Sequence, residues 1–193
     1  VDYMHGFGDE EFLFIGGDGY GDWLGLDAPD GSLRGATSYD LIASAFFAYS
    51  TSLLIKAGNV IGRDMGRYER LYEGIADAFR SKFLNTDADE YNTQTAYSLA
   101  LCFDLADDRK EMARRLAELI RKNGGKTATG FVGTPYVLYA LSENGYADVA
   151  FDLLLSEEYP SWLYCVNHGA TTIWEHWDGI GDDGGFWDSE MNS

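Results

Sequence analysis

The feature that most constrains this chain is an alternation of two kinds of helical-period segment that begins at Thr37. Thr37 or Ser38 can cap a first helix whose apolar positions Leu41, Ala45, Phe46, Tyr49, Leu53 and Leu54 recur at helical spacing. Ala57-Gly58-Asn59 supplies the chemistry of a helix end. A second helix is predicted over 67–83, with Leu71, Ile75, Ala78, Phe79 and Phe83 as its apolar stripe. The third begins near Thr93 and is apolar on nearly every side, which predicts full burial. The fourth, over 110–122, is amphipathic: Met112, Leu116, Leu119 and Ile120 face in, while Arg114, Arg115, Glu118 and Arg121 face out. Thr134-Pro135 starts a fifth helix that Asn144-Gly145 ends, and a sixth runs over 146–155, before Tyr159-Pro160.

Buried and amphipathic helices in short antiparallel hairpins, about one hairpin per 45–50 residues, fit either an α-solenoid or part of an α/α toroid. The Gly- and aromatic-rich segments on both sides favour the toroid, where such loops gather at one end of the inner helices. Over residues 1–35 those segments include Phe-Ile-Gly-Gly-Asp-Gly-Tyr-Gly-Asp-Trp-Leu, expected to be ordered loop with a short extended piece at 12–15. The fold class expected is therefore all-α: helical hairpins forming part of an (α/α)6 barrel, in one domain over 1–193.

Composition narrows the function. The 193 residues suffice for one domain with a real core. A net charge of −18 repels a duplex and weakens attraction to anionic membranes, while a neutral sugar is indifferent to it. No apolar run approaches the length of a membrane span. Cys102 reads as a buried helix residue, and it forms neither a disulfide framework nor a metal motif with Cys165. The compartment, cytoplasmic or exported, stays open. Five Trp and thirteen Tyr are many for a helical chain, and rings beside carboxylates suit sugar binding.

The densest such cluster is Asn167-His-Gly-Ala-Thr-Thr-Ile-Trp-Glu-His-Trp-Asp178. Glu175 lies between Trp174 and Trp177, whose rings exclude water, raise a carboxyl pKa and can stack on a sugar. Glycoside hydrolysis needs two carboxyl groups, and Glu175 fits either role. By residue type alone, a Glu that caps or pairs within a tail fits equally well. Asp22-Trp23 repeats the theme, ring for the apolar sugar face and carboxylate for hydroxyls, or else a turn whose Trp packs on the first helix. His168 and His176 lack metal-ligand spacing and are expected to be one hydrogen-bonded and one exposed. Asp178, Asp182 and Asp183 read as a solvated turn more than a calcium loop. No metal or cofactor is implied.

Four blocks in order now carry a resemblance: Tyr20-Gly-Asp-Trp-Leu, Asn92-Thr-Gln-Thr-Ala-Tyr-Ser-Leu-Ala-Leu, Thr129-Gly-Phe-Val-Gly-Thr-Pro, and Gly169-Ala-Thr-Thr-Ile-Trp-Glu-His-Trp-Asp, ending at Met191-Asn-Ser. Their order resembles the catalytic domain of bacterial α-L-rhamnosidases, glycoside hydrolase family 78, over essentially the whole chain. The resemblance implies an (α/α)6 barrel, inverting hydrolysis of terminal α-L-rhamnosides, a general base at Glu175 and a sugar-contacting ring at Trp23. Trp174 and Trp177 join the substrate-binding set by neighbourhood, as does Asp22. The family's general acid sits in an acidic, Arg-containing motif upstream of the Gly-Asp-Trp-Leu block. Gly8-Asp-Glu-Glu-Phe12 has carboxylates but not that pattern. The family also continues past Met-Asn-Ser into a segment with a sugar-binding His. The expectation is thus a C-terminal part of the domain, about half a barrel, inactive alone and prone to self-association through exposed inner-helix surface. A six-hairpin glycosidase for another sugar, or a helical-repeat binding module without catalysis, are the alternatives.

Overall fold

The structure is a computed structural model that describes residues 1–6, 10–86, 88–181 and 183–186. Asp182, the Met191-Asn-Ser ending and the Gly8-Asp9 pair lie outside the described residues. A one-turn helix α1 (Asp2–His5) precedes a long loop. Then come α2 (Tyr39–Val60), α3 (Gly66–Phe79), α4 (Gln94–Cys102), α5 (Arg109–Lys122), α6 (Thr134–Ser142), α7 (Ala147–Leu155) and α8 (Trp162–Asn167). A π-helical turn, Arg80–Leu84, extends α3, and a 3-10 turn, Asp89–Tyr91, leads into α4. Among the described residues there is no strand, only the isolated bridges Trp23–Arg34 and Ile180–Phe186. The extended piece expected at 12–15 is a turn and loop instead, because Leu13 inserts into the core and Ser44 holds Phe14 through its hydroxyl.

Three hairpins form as the alternation requires: α2 packs on α3, α4 on α5 and α6 on α7, while α2, α4 and α6 pack in series as the inner row. Every residue of α4 from Gln94 to Leu101 is buried, which is why its sequence carries no polar face. Thr93 caps it by accepting from the Ala96 amide, and Asp108 caps α5 by accepting from Glu111. On the outer face of α5, Glu111 binds both Arg114 and Arg115, which holds its carboxyl well down, at about 2. The core centres on Phe47, Phe79, Phe83, Ile75, Leu99, Leu116, Ile120 and Leu141, each 1% exposed or less. Beside it, Tyr49 and Phe103 stack face to face with ring centres 4.1 Å apart.

Several details depart from the sequence expectation. The buried face of α2 is Leu41, Ile42, Ala45, Phe47, Ala48 and Thr51, whereas Leu53 is 46% exposed. An inner helix touches two neighbours, α3 and α4, so its stripe is too broad to locate by periodicity. The helix runs on through Gly58, where a Cβ would meet Met65 Sδ at 2.1 Å, and turns at Gly62 with φ +69°. By length and composition α2 could cross a membrane, contrary to the sequence expectation, yet its apolar side packs into the helical core. Ser38 is the N-cap residue of α2 and makes no side-chain cap bond, while the other candidate, Thr37, bonds Thr93 at 2.6 Å. Gly133, not Thr134, is the N-cap of α6, and Thr134 turns its hydroxyl to Thr129. Cys102 is only half-buried, but burial still pushes its thiol up to about 11.

Leu99 is fully buried at the centre of α4. Leu99→Ala is expected to lower stability by about 2–5 kcal/mol, through lost burial and a residual cavity. The midpoint of denaturant unfolding measures this.

Candidate active site

The inner helices α2, α4 and α6 all point their N-termini to one end of the molecule, where the long loops gather. The Thr37–Thr93 hydroxyl bond joins the first two starts. Gln94, the first residue of α4, clamps the segment before α6: its Nε2 donates to Lys126 O at 3.2 Å, and its Oε1 accepts from the Ala128 amide at 2.9 Å. Thr127, Thr129 and Thr134 continue this as a chain of hydroxyls, each contact 2.8 Å.

Asp22 lies at the centre of this end and is 1% exposed. Its Oδ1 accepts from the amides of Val132 at 2.8 Å and Gly133 at 3.1 Å. Its Oδ2 accepts from the Gly130 amide at 2.9 Å and from the Thr95 hydroxyl. Its own carbonyl accepts from Gly25 and Gly35, closing the loop that follows. An ionised carboxylate is acceptor-only, and four donors satisfy it without a cation. The donors also include amides just before α6, where a helix start favours negative charge. Two further backbone bonds seam the loops: Phe131 N to Trp23 O and Leu26 N to Ala128 O, both 2.9 Å. The approach is as close as backbones permit. A Cβ on Gly130 would sit 2.2 Å from Trp23 O and 2.6 Å from Gly25 N.

Within this loop Leu24 holds φ +58°, a conformation costly for a residue with a Cβ, and its amide donates to Leu33 O at 2.6 Å. Asp27 caps the return by accepting from the Ala36 amide at 2.9 Å. Burial raises the Asp27 carboxyl above its ordinary range, the Ala36 bond opposes this, and the charge of Asp22 adds to it.

Beside these loops lies a largely apolar cleft of about 730 Å³. Leu24, Leu26, Thr129, Gly130 and Phe131 supply one part of its lining, Thr134, Pro135, Leu138 and Leu154 a second, and α8 with the segment 170–177 the rest. Trp174, Glu175 and Trp177 all line it, so three of the sequence candidates converge. Glu175 is half-buried. The other two candidates stand differently. Asp22 is turned into the protein, and Trp23 rests edge-on against Tyr20, ring centres 5.6 Å apart, with neither side chain among the lining.

Sequence reasoning missed α8 and with it Trp162, which lines the cleft and meets Trp177 edge-on at 5.0 Å. Its signal was Ser161, which caps α8 by accepting from the Tyr164 amide. The histidine expectation is corrected in one respect: both are half-buried. His168 Nδ1 lies 2.8 Å from Tyr164 O, and His176 Nδ1 is 3.9 Å from the Asp178 carboxylate. Among the described residues no three His, Cys, Asp or Glu side chains gather as a metal site would require.

Residues 1–193 match the family described as the bacterial alpha-L-rhamnosidase 6 hairpin glycosidase domain. An alpha-L-rhamnosidase of Formosa agariphila is 42% identical over 180 residues, covering 90% of this chain and 19% of its own length. The crystal structure of Streptomyces avermitilis alpha-L-rhamnosidase, complexed with L-rhamnose, superposes with a TM-score of 0.86 at 39% identity, over 100% of this chain and 18% of that one. Native α-L-rhamnosidase from Aspergillus terreus gives 0.81 at 31% identity, over 90% of this chain and 21% of that one. The chain spans 17–20% of the length of the three curated relatives that cover about 90% of it.

Gly130→Ala is expected to cost at least about 2 kcal/mol, since backbone atoms on both sides leave no room for a methyl group; thermal unfolding reads it. Asp27→Asn keeps the acceptor for Ala36 and removes a partly buried charge. A raised folded value means the native chain holds this proton to higher pH than the unfolded chain. The carboxyl's contribution to stability therefore falls as pH rises from a little under 4 through the folded value. Relative to the wild type, Asp27→Asn should gain stability as pH rises above the unfolded carboxyl value of about 3.9 and level off once the folded carboxyl is ionised. Paired urea titrations across that range test it, and a flat or shrinking difference contradicts it.

Proposed function

The chain belongs to the bacterial α-L-rhamnosidase six-hairpin glycosidase family, and from that premise we propose that it serves in the hydrolysis of terminal α-L-rhamnosides with inversion, Glu175 acting as the general base. The observation that carries this reading is the position of Glu175, half-buried on the wall of a 730 Å³ cleft between Trp174 and Trp177. The carboxylate takes a proton from a water as that water attacks the anomeric carbon on the face opposite the leaving oxygen. The partner acid protonates that oxygen. In inverting enzymes it stands roughly 6.5–9.5 Å from the base, leaving room for the water. The acid is assigned to no residue of this chain.

The walls suit the sugar. A deoxyhexose presents C–H faces and a methyl group, and the cleft offers the rings of Trp162, Trp174 and Trp177 to them. Apolar surroundings also strengthen the electrostatic part of the step by excluding bulk water. A charge of −18 does not hinder a neutral glycoside.

In the full-length protein, Glu175→Gln should lower kcat on an aryl α-L-rhamnoside by about 10²–10⁴-fold with little change in melting temperature. Proton NMR of the wild-type reaction should show β-rhamnose as the first-formed anomer. Retained turnover in Glu175→Gln removes Glu175 from the base role. A wild type inert to rhamnosides but active on another glycoside moves the substrate class.

A further inference from the structure

We propose that Asp22 is a positioning residue, whose buried carboxylate locks the loop carrying Trp23, Leu24 and Leu26 to the loop carrying Gly130 and Phe131 and so sets the cleft wall that works with Glu175. This rests on the reading of the cleft as a sugar site and assigns Asp22 a role different from hydroxyl binding.

Three observations carry it. First, all the acceptor capacity of Asp22 faces protein: three amides, those of Gly130, Val132 and Gly133, and the Thr95 hydroxyl. At 1% exposure nothing remains for a ligand. Second, the donors lie 73 to 111 residues away in sequence. They sit on the first turn of α4 and the approach to α6, so one carboxylate ties a loop to two inner helix starts. Third, what it ties is the lining itself. Leu24, Leu26, Gly130, Phe131 and Thr134 all face the cleft shared with Glu175. Leu24 reaches it only through a left-handed backbone at φ +58°, a conformation that persists where surrounding bonds over-determine it. The seam bonds Phe131 N–Trp23 O and Leu26 N–Ala128 O lie directly beside the carboxylate.

Replacing Asp22 by Asn tests this with little change of shape. Asn presents one acceptor oxygen and an NH2 group where four donors now converge, so at least one of the Gly130, Val132 and Gly133 amides faces an N–H in place of an oxygen. Thr95→Val is the milder companion, removing one donor and leaving the carboxylate. Thr51→Val is the control: Thr51 is equally buried and bonds Phe47 O within α2, away from the cleft. The three variants and the wild type, all as full-length protein, are compared by amide hydrogen exchange and by kcat and KM on an aryl α-L-rhamnoside. In Asp22→Asn the amides of Gly130, Val132 and Gly133 should exchange at least about tenfold faster. KM should rise about tenfold or more, with kcat within about threefold, the signature of lost binding geometry. Thr95→Val should move the same quantities less, and Thr51→Val neither.

Unchanged exchange in Asp22→Asn overturns the proposal. So does activity that falls only in step with folded fraction, as a merely structural residue would give. If the wild type hydrolyses no rhamnoside, the substrate reading fails by itself. Exchange confined to residues 22–36 and 128–134 then still decides for the anchor, and its absence against it.

Discussion

One buried carboxylate organises the functional end of this protein. Removing an ionised Asp from water costs on the order of several kcal/mol unless donors replace the solvent. At Asp22 they are replaced in full, by three amides and a hydroxyl drawn from two distant segments. The requirement acts in both directions. The loop 22–26 cannot bury Asp22 without the segment 130–133, whose Gly130, Val132 and Gly133 amides all donate to that carboxylate. Gly130 follows from this, since any side chain there would push apart the backbones that the carboxylate draws together.

The helical scaffold makes such an arrangement available. Because the hairpins are antiparallel, every inner helix starts at the same end, and the unsatisfied amides of those starts form a region receptive to acceptors. Thr93 answers that need at α4 with its own hydroxyl, and Asp22 answers it at α6 from a distant loop. The opposite consequence is the cleft. Loops held by short polar bonds on one side, and the apolar faces of α6, α7 and α8 on the other, leave a space with few polar groups in it. A carboxylate such as Glu175 on that wall is placed where a reacting sugar would find both ring faces and little bulk water.

Much of the helical plan was legible. The uniformly apolar stretch at 94–101 is buried throughout, and the stripe of α5 faces in as its spacing requires. The four sequence blocks that resemble rhamnosidases agree with a family match over the whole chain. The clustering of Trp174, Glu175 and Trp177 was visible because those residues adjoin in sequence. What escaped was set by contacts between distant segments. The face of α2 was misjudged because two neighbours share it. The short α8 has too few residues for periodicity, and Trp162 was hidden with it. The inward orientation of Asp22 depends on amides more than a hundred positions away, which no local pattern encodes.

The sequence alone determined that this chain folds as alternating inner and outer helices, because apolar spacing decides which residues can leave water, and it determined the family through the order of its four blocks. Only the tertiary structure decided which carboxylate faces the cleft and which is enclosed. Glu175 and Asp22 read alike in sequence, each an acid beside a tryptophan. Their difference lies in surroundings that the chain assembles by folding: a ring of donors encloses one, and an open apolar wall carries the other.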